Sequence, residues 1–555
     1  MAIIVIDIGG TGARCAAAAM YALTSGLAES SRFSAVFGSK IRFLHIDKDA
    51  NNGTGKNSES AILNYRSMYE KSEGLRGKFP APYQIEWDFW NINDLSSGEE
   101  NSSLEKTFAS EKDLLDLLFA EEDQTRELDC GFEQRPALGA VYFERICDGL
   151  EEIIRQYVEN DTDATAVFIF ASAFGGCGAS MFTHVGKLVR NKLNRDDVFV
   201  GGAFMEPYFM IPPLTKSFEE KKAAGDFRLR TDDLIPATQK ALAYYATIPN
   251  LYATESNFDN SGEDHFIFDA LYPLGLYPLC NNIKKSGDLD EGDFVKGQDA
   301  QRSLYSLADM LAALALCDFL SRAAKGQAAI KPTKNTHNLM NTKLKHLAKN
   351  PSTYEITPFA WDNLPNSAEV KERLIAMAKF AIYTTSYLCP EYFEAVVDED
   401  NSGIRKSELG RQIKRLHKSV DDQETIKAVF TQAKQFLDFI RDVAATNAGN
   451  GKSRLTELFD VDGLDHLLKT LGEDIRTAAG SQQALRDYST ERFDMSHGGL
   501  VFGTDKRTPI SDERLAYNPE RIRTVYTALK QKPGNAAEFF SGVYDACLAL
   551  TKEVA

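Results

Sequence analysis

Near the start of the chain, a short run of apolar residues ends in glycines. Residues 3–8 are apolar except for Asp7, residues 9–12 read Gly-Gly-Thr-Gly, and residues 13–23 are rich in alanine. An apolar run of this length is typical of a buried strand, the glycines indicate a tight turn, and alanine favours helix. The pattern predicts a strand, a loop and a helix in that order.

The same unit returns in the middle of the chain. Residues 164–173 form the most apolar predicted strand, residues 174–180 carry three glycines, and Phe182, Val185 and Val189 then recur on one helical face. Further elements are predicted as strands at 41–46, 198–204 and 265–271 and as helices at 140–157, 236–247 and 300–322. Alternating strands and helices predict an α/β fold with a doubly wound, mostly parallel sheet.

Two segments depart from this alternation. Residues 58–128 are rich in Ser, Glu, Asp and aromatic residues, with mixed periodicity, and we interpret them as a surface insertion. Beyond about residue 325 the strand pattern fades, and helices are predicted at 368–388, 424–444, 455–471 and 537–550. We therefore predict an α/β domain over residues 1–325, with a long central helix at about 300–322, and a mainly helical domain over residues 326–555.

Composition narrows the class of protein. The 555 residues carry a net charge of -17, which argues against a nucleic-acid partner because such affinity comes from clustered Lys and Arg. No run of apolar residues is long enough for a membrane span, and no signal sequence precedes the first strand, so we expect a cytoplasmic protein. The eight Cys and eight His show neither disulfide nor zinc-ligand spacing, and no metal site is predicted.

Glycines between a buried strand and a helix place backbone N–H groups and the positive end of the helix dipole at one point, where a phosphate can bind. A dinucleotide fingerprint would require a third glycine where this chain has Cys15, and a Walker loop would require a Gly-Lys-Ser/Thr string that is missing after both glycine loops. Both of these phosphate-binding families are therefore disfavoured.

An actin-like sugar kinase of the ROK type is one alternative. Residues 6–11 resemble the first phosphate loop of that family, which would bind ATP with Asp7 and the glycines. That loop belongs to a β-hairpin, whereas residues 16–23 favour a helix and lack the alternation of a strand. The kinase remains the second hypothesis.

The ordered set of loops resembles the tubulin and FtsZ superfamily, in particular its divergent bacterial branch. Residues 9–12 resemble the first phosphate loop, residues 47–51 the second, and Gly131, Pro136 and Gly139 the third. The tubulin signature GGGTGSG or GGGTGTG is similar to residues 172–180, which keep three glycines but depart from it at Phe174, Cys177, Ala179 and Ser180. The resemblance implies a tubulin-like GTP-binding domain that covers about residues 1–325.

In this superfamily an aromatic ring at the start of the central helix stacks on guanine, and an Asn or Asp four residues later pairs with the base edge. Tyr305 and Asp309 have that spacing, Asn281 is the matching loop residue, and Glu206 resembles a ribose contact. Taken together, the resemblance predicts nucleotide contacts at Gly9, Gly10, Thr11, Gly12, Arg14, Asp47, Asp49, Pro136, Gly139, Gly175, Gly176, Cys177, Gly178, Ala179, Glu206, Asn281, Tyr305 and Asp309.

The family's hydrolytic acid is not found. The stretch after the predicted central helix, residues 325–335, is basic and contains no Asp or Glu, so no catalytic residue is assigned. The sequence predicts a protein that binds GTP or another nucleoside triphosphate, with Mg²⁺ as a possible companion, and that self-associates or acts as a nucleotide-dependent switch. A nucleotide-independent assembly or adaptor protein is the third hypothesis, motivated by Cys177 and the missing acid.

Overall fold

The structure is a computed structural model of the chain. It describes residues 2–24, 40–71, 84–92, 103–128, 131–132, 135–159, 165–192, 198–205, 231–248, 251, 267–274, 305, 307–325, 373, 376–378, 380–381, 384, 415–416, 418–446 and 534–552.

Within these described ranges, six strands form one sheet. Their bounds are β1 Ala2–Ile8, β2 Lys40–Asp47, β3 Gln84–Asn91, β4 Thr165–Ser172, β5 Val198–Met205 and β6 Ala270–Leu274. The spatial order is β3-β2-β1-β4-β5-β6, and every neighbouring pair runs parallel. Together with helices on both faces, this confirms the predicted α/β class with a parallel sheet.

Eleven α-helices lie in the described part of the chain. They are α1 Gly9–Thr24, α2 Gly53–Lys71, α3 Leu104–Thr107, α4 Lys112–Leu118, α5 Glu121–Thr125, α6 Pro136–Glu159, α7 Gly176–Lys192, α8 Thr231–Tyr245, α9 Leu307–Ala323, α10 Val420–Thr446 and α11 Ala536–Lys552. None of these helices combines the length and apolar character that a membrane span requires.

Alternate residues of β1 contribute to different cores. Ile3 and Val5 join a cluster with α1, α2, α9, α10 and α11, whereas Ile4 and Ile6 join a cluster with α6, α7 and α8. This alternation is the strand periodicity of two, and it explains why the central strands are apolar on both faces. Helices therefore cover both faces of the sheet.

Helix α1 lies at the centre of the first cluster. All its residues from Gly12 to Thr24 are buried, because α2, α9 and β4 pack around it. Small alanine side chains let these neighbours approach closely, and a helix that is apolar all round is expected to be buried. The predicted helix after the first glycines is confirmed, and the return strand that a kinase-type hairpin would need is not formed.

The structure differs from the predicted insertion at residues 58–128. Residues 58–71 of that segment belong to α2, and β3 adds a strand to the sheet beside β2, in register from Lys40 with Gln84. Mixed periodicity misled the prediction because β3 is an edge strand with several exposed positions. Helices α3, α4 and α5 follow β3 and form the part of the segment that is an addition to the sheet.

The start of one other predicted element shifts. The predicted central helix corresponds to α9, which begins at Leu307, so Tyr305 lies before its first residue. Helices α10 and α11 confirm the predicted helices at 424–444 and 537–550, and both pack into the same apolar cluster as α1. The predicted helix at 455–471 lies outside the described residues, as does most of the one at 368–388.

Candidate functional site

The sheet changes direction between β1 and β4. The chain runs from β1 outward to β2 and β3, then returns to place β4 on the other side of β1. In open parallel sheets, ligands bind at such a switch point, outside the carboxyl ends of the strands. Here both strands lead into glycine-rich turns and helices, so the switch point is the first place to look for a site.

The first turns of α1 and α7 lie side by side at this point. A side chain placed on Gly9 would have its Cβ 3.5 Å from Cβ of Cys177 and 3.7 Å from the backbone nitrogen of Gly178. The first four N–H groups of a helix have no partner within that helix, and they carry its positive partial charge. Two such helix ends at one crevice form a site suited to an anion such as a phosphate.

Two glycines are required by close approach to the sheet. A Cβ on Gly12 would lie 2.8 Å from the carbonyl oxygen of Phe170, and one on Gly178 would lie 2.7 Å from the nitrogen of Ser172. Gly10, Thr11, Gly175 and Gly176 remain partly exposed. The glycines therefore hold both helix ends against β4 while leaving a backbone surface open to solvent.

Asp47 ends β2 and links its loop to α7. Its Oδ1 atom accepts hydrogen bonds from the backbone nitrogens of Lys48 (2.8 Å) and Asp49 (3.3 Å) and from the thiol of Cys177 (3.4 Å). Its Oδ2 atom is buried and accepts no hydrogen bond from the described residues. Burial raises the pKa of Asp47, and the nearby His45 lowers it in part.

Cys177 occupies the point where the loops meet. Burial, and next the charge of Asp47, raise the pKa of its thiol well above the ordinary value, so the group stays protonated and serves as a donor. The Cys177 sulfur would lie 3.8 Å from a Cβ on Gly131, whose φ is +82°. At this departure from the tubulin signature, the S–H group of Cys177 donates a hydrogen bond to Asp47.

Asn52 brings a third helix end to the same edge. Its Oδ1 atom accepts from the backbone nitrogens of Thr54 (2.9 Å) and Gly55 (3.3 Å), which makes it the N-cap of α2. A Cβ on Gly10 would lie 3.3 Å from Nδ2 of Asn52. The sequence prediction missed Asn52, although an Asn directly before a helix is a recognised start signal.

The residues of the third predicted loop have different positions from those that the resemblance implies. Pro136 is the first residue of α6, where a proline is well tolerated. A Cβ on Gly139 would lie 2.2 Å from Oγ of Ser180, so this glycine allows α6 to pack against α7. Gly131 is the member of this loop that the structure brings beside Cys177.

Arg14 and Asp309 form a buried ion pair between α1 and α9. The Nε atom of Arg14 lies 3.4 Å from each carboxylate oxygen of Asp309, and Asp309 is fully buried. The Cys15 thiol also donates to this carboxylate, at 3.7 Å. Tyr305 packs edge-on against Tyr21 at 6.3 Å between ring centroids. The two predicted base-recognition residues therefore do not share a helical face, and Asp309 is engaged with Arg14.

The remaining predicted residues divide into two groups. Asp49 is buried, and its Oδ1 accepts from the nitrogen of Asn51 at 3.0 Å; Ala179 is also buried, and its carbonyl accepts from the Tyr245 hydroxyl at 2.8 Å. Glu206 and Asn281 lie outside the described residues.

Two buried polar pairs near the site were not predicted. Nδ1 of His45 and Oδ1 of Asp7 share a hydrogen bond of 2.5 Å across neighbouring strands. Burial opposes the charge of His45, but Asp7 beside it brings the net pKa of His45 above its ordinary value; burial also raises the pKa of Asp7. Asp7 is the single polar residue of the run at 3–8, and this was the available signal for the pair.

The second pair is Lys48 with Tyr142. The Lys48 ammonium is buried, lies 4.5 Å from the centroid of the Tyr142 ring and donates to its hydroxyl at 3.3 Å. Thr107 of α3 donates to the same hydroxyl at 3.4 Å. These contacts connect the loop after β2 with α6 and with the helical addition that follows β3.

The donor set suits a phosphate-bound cation better than a protein-held metal. Among the described residues, no group of three or more His, Cys, Asp or Glu side chains stands together as a metal site. Mg²⁺ usually binds through substrate phosphates and only one or two carboxylates. The unpaired Oδ2 of Asp47 is a carboxylate oxygen of that kind.

Comparison with protein-family models gives no match, and comparison with curated protein sequences gives no significant match. The fold and the site define this chain as an α/β protein with an all-parallel sheet and glycine-rich turns at its switch point.

Proposed function

We propose that this protein binds a nucleoside triphosphate, GTP in the first place, with its phosphates at the first turns of α1 and α7. The observation that carries the proposal is the 3.5 Å approach between a Cβ on Gly9 and Cβ of Cys177 at the switch point of the sheet. Two helix ends that meet there can each donate backbone hydrogen bonds to phosphate oxygens. We propose GTP ahead of other nucleotides because the order of the loops resembles that of tubulin.

Several features support the tubulin-like interpretation over the alternatives. Cys177 of the fourth loop lies close to one residue of each of the other three, namely Gly9, Asp47 and Gly131, and Asn52 lies beside Gly10. The sugar-kinase alternative depends on a hairpin after the glycines, and residues 9–24 form α1 instead. The adaptor alternative differs from the proposal in one measurable respect, because an adaptor of that kind would bind no nucleotide.

A divalent cation fits the proposal. Asp47, through its unpaired Oδ2 atom, would contact the cation or a water bound to it, and the backbone of α1 and α7 would hold the phosphates. The cation would neutralise phosphate charge that Asp47 and Asp49 otherwise repel. We therefore expect nucleotide affinity to depend on Mg²⁺.

We propose that the protein acts as a nucleotide-dependent switch or assembles with itself, and that GTP hydrolysis is slow. The basic stretch at 325–335 offers no carboxylate to position water. Without that group the protein would keep its triphosphate for long periods, which suits a binding switch better than a rapid turnover enzyme.

The proposal is tested by isothermal titration calorimetry with GTP, ATP and NAD, each with and without Mg²⁺. Gly176→Glu places a carboxylate at the first residue of α7. There the negative charge interacts favourably with the positive end of the helix dipole, but the side chain occupies the proposed phosphate position. We expect Gly176→Glu to lose GTP binding and to keep the melting temperature of the wild type.

The matched control is Gly149→Glu, because Gly149 is an exposed helical glycine on α6. This variant should bind GTP like the wild type. GTP binding that survives Gly176→Glu would refute the proposed phosphate position. If the folded wild type binds no nucleotide at millimolar concentration, only the adaptor hypothesis remains. Tight binding of NAD would instead favour a dinucleotide-binding protein.

A further inference from the structure

Helix α4 exposes three leucines that are not part of the candidate site. The exposed fractions are 54% for Leu114, 80% for Leu117 and 54% for Leu118. Single exposed leucines are common on protein surfaces, but adjacent ones on one short helix form an apolar patch, and such patches mark interaction sites.

The three leucines share one face of the helix. With 3.6 residues per turn, positions 114, 117 and 118 fall within roughly 100° of the helix circumference. Leu115 lies roughly 60° further round the helix than Leu118 and is buried in the apolar cluster that includes Leu104 and Tyr142. Leu115 therefore anchors α4 to the protein while the leucine face, defined as Leu114, Leu117 and Leu118, stays outside.

The ends of α4 are fixed as well. The backbone nitrogen of Phe119 donates to the carbonyl of Leu115 at 2.8 Å, and Nε2 of Gln124 donates to the carbonyl of Phe119 at 2.8 Å. At the first residue of the helix, Lys112 pairs with Glu105 of α3 at 3.6 Å. The leucine face is thus presented on a short helix that is already folded, which lowers the entropy cost of binding.

Acidic groups border the leucine face. Asp113 and Asp116 lie on the helix arc next to Leu117, and Glu121 begins α5. All three carboxylates are exposed, and none forms an ion pair with a described residue. The surface around the leucines is therefore apolar at its centre and negative at one border.

We propose that α4 is a docking helix, and that its leucine face inserts into an apolar groove, lined at its rim by Lys or Arg, on a different protein. An amphipathic helix that binds in a groove uses anchors at positions i, i+3 and i+4, which is the spacing of the leucine face. Charge argues against a second copy as the partner, because this chain has a net charge of -17 and would present more acid to Asp113 and Asp116. This inference does not depend on the proposed nucleotide function.

The experiment uses the full-length chain with a photoreactive amino acid in place of Leu117, expressed in the cells that naturally make the protein. The control carries the same amino acid in place of Val420, which is 68% exposed on α10. We expect one discrete protein adduct from position 117 that position 420 does not give. No adduct at position 117, or the same adducts from both positions, would overturn the proposal.

The cross-linked protein is then purified and titrated with this chain. Leu117→Asp should weaken its binding roughly 30-fold or more, the loss expected of a central anchor. Asp113→Asn/Asp116→Asn should weaken it less and should reduce its dependence on salt, because those groups contribute through charge. Binding that survives Leu117→Asp would contradict the docking role of α4.

Self-association is tested by sedimentation velocity on the wild type and on Leu114→Asp/Leu117→Asp. Both changes are on the surface, so equal melting temperatures are expected. If the wild type forms an oligomer, its state should be the same in the double variant. An oligomer that dissociates in the double variant would identify a second copy as the partner and would overturn the proposal.

Discussion

The ion pair between Arg14 and Asp309 allows a direct test of whether Asp309 supports the fold. Asp309 is fully buried and Arg14 nearly so, with 3.4 Å between Nε and each carboxylate oxygen. Removing one partner of a buried pair leaves an uncompensated charge and typically costs about 3–5 kcal/mol. We expect Arg14→Met and Asp309→Leu each to lose stability of that size.

The double variant Arg14→Met/Asp309→Leu should recover most of the loss, because two apolar side chains of similar size can replace a buried ion pair. The measurement is the free energy of unfolding in urea for all four proteins, combined in a double-mutant cycle. We expect a coupling of roughly 3 kcal/mol.

A loss below about 1 kcal/mol in both single variants would refute the structural role of the pair. The nucleotide preference of Asp309→Leu gives a second readout, because a leucine side chain can accept no hydrogen bond from guanine. If this variant keeps its stability but loses its preference for GTP over ATP, Asp309 reads the base, as the tubulin-like resemblance predicts, and the structural account of this residue is wrong.

Three further predictions concern the groups around the site. Gly178→Ala places a Cβ 2.7 Å from the nitrogen of Ser172, so it should cost about 1–3 kcal/mol of stability and weaken nucleotide binding, both measured on one preparation. Asp7→Asn/His45→Gln removes the titrating pair. Both pKa values are raised in the folded protein, so the wild type's advantage in unfolding free energy over this variant should be largest below the ordinary Asp pKa of 3.8 and should fall as pH rises through the folded-state pKa values of Asp7 and His45; an advantage that grows with pH would contradict the assignment. Tyr142→Phe removes the hydroxyl that binds Lys48 but keeps the ring, so it should cost about 1.5–3 kcal/mol in urea unfolding and Tyr142→Leu clearly more.

The central strands and first helices could be predicted from the sequence because one local signal decided each of them. The run from Ile3 to Ile8 is apolar on both faces, which only a central strand of a covered sheet requires. The alanines after Gly12 favour helix and also suit the crowded position of α1. Local preference and tertiary packing agree here.

The strand β3 was not predicted, since residues 58–128 were interpreted as a surface insertion. As an edge strand it has exposed and half-buried positions, and its place in the sheet depends on parallel pairing with β2, a contact between distant segments. The start of α9 failed for a related reason, since the apolar pattern begins before Leu307 while Tyr305 packs against Tyr21 and Phe439 from other helices.

The candidate site was predictable where backbone supplies the chemistry. Glycine turns after strands indicate helix ends at one edge, and the structure brings Gly9 and Gly178 together there. Side-chain partners were not predictable, because contacts between buried groups on distant segments depend on how the helices and strands pack. The pairing of Arg14 with Asp309, and of Cys177 with Asp47, depends on the packing of α9 and α7 against other elements.

The most direct test of nucleotide binding is the identity of any nucleotide that stays bound to the purified protein. The full-length chain is purified in the presence of Mg²⁺, denatured, and its released small molecules are separated by ion-exchange chromatography and identified by mass spectrometry. The account predicts GTP or GDP in near-stoichiometric amount from the wild type and from Gly149→Glu, and none from Gly176→Glu. A folded wild type that carries no nucleotide and takes up none at millimolar GTP would contradict it.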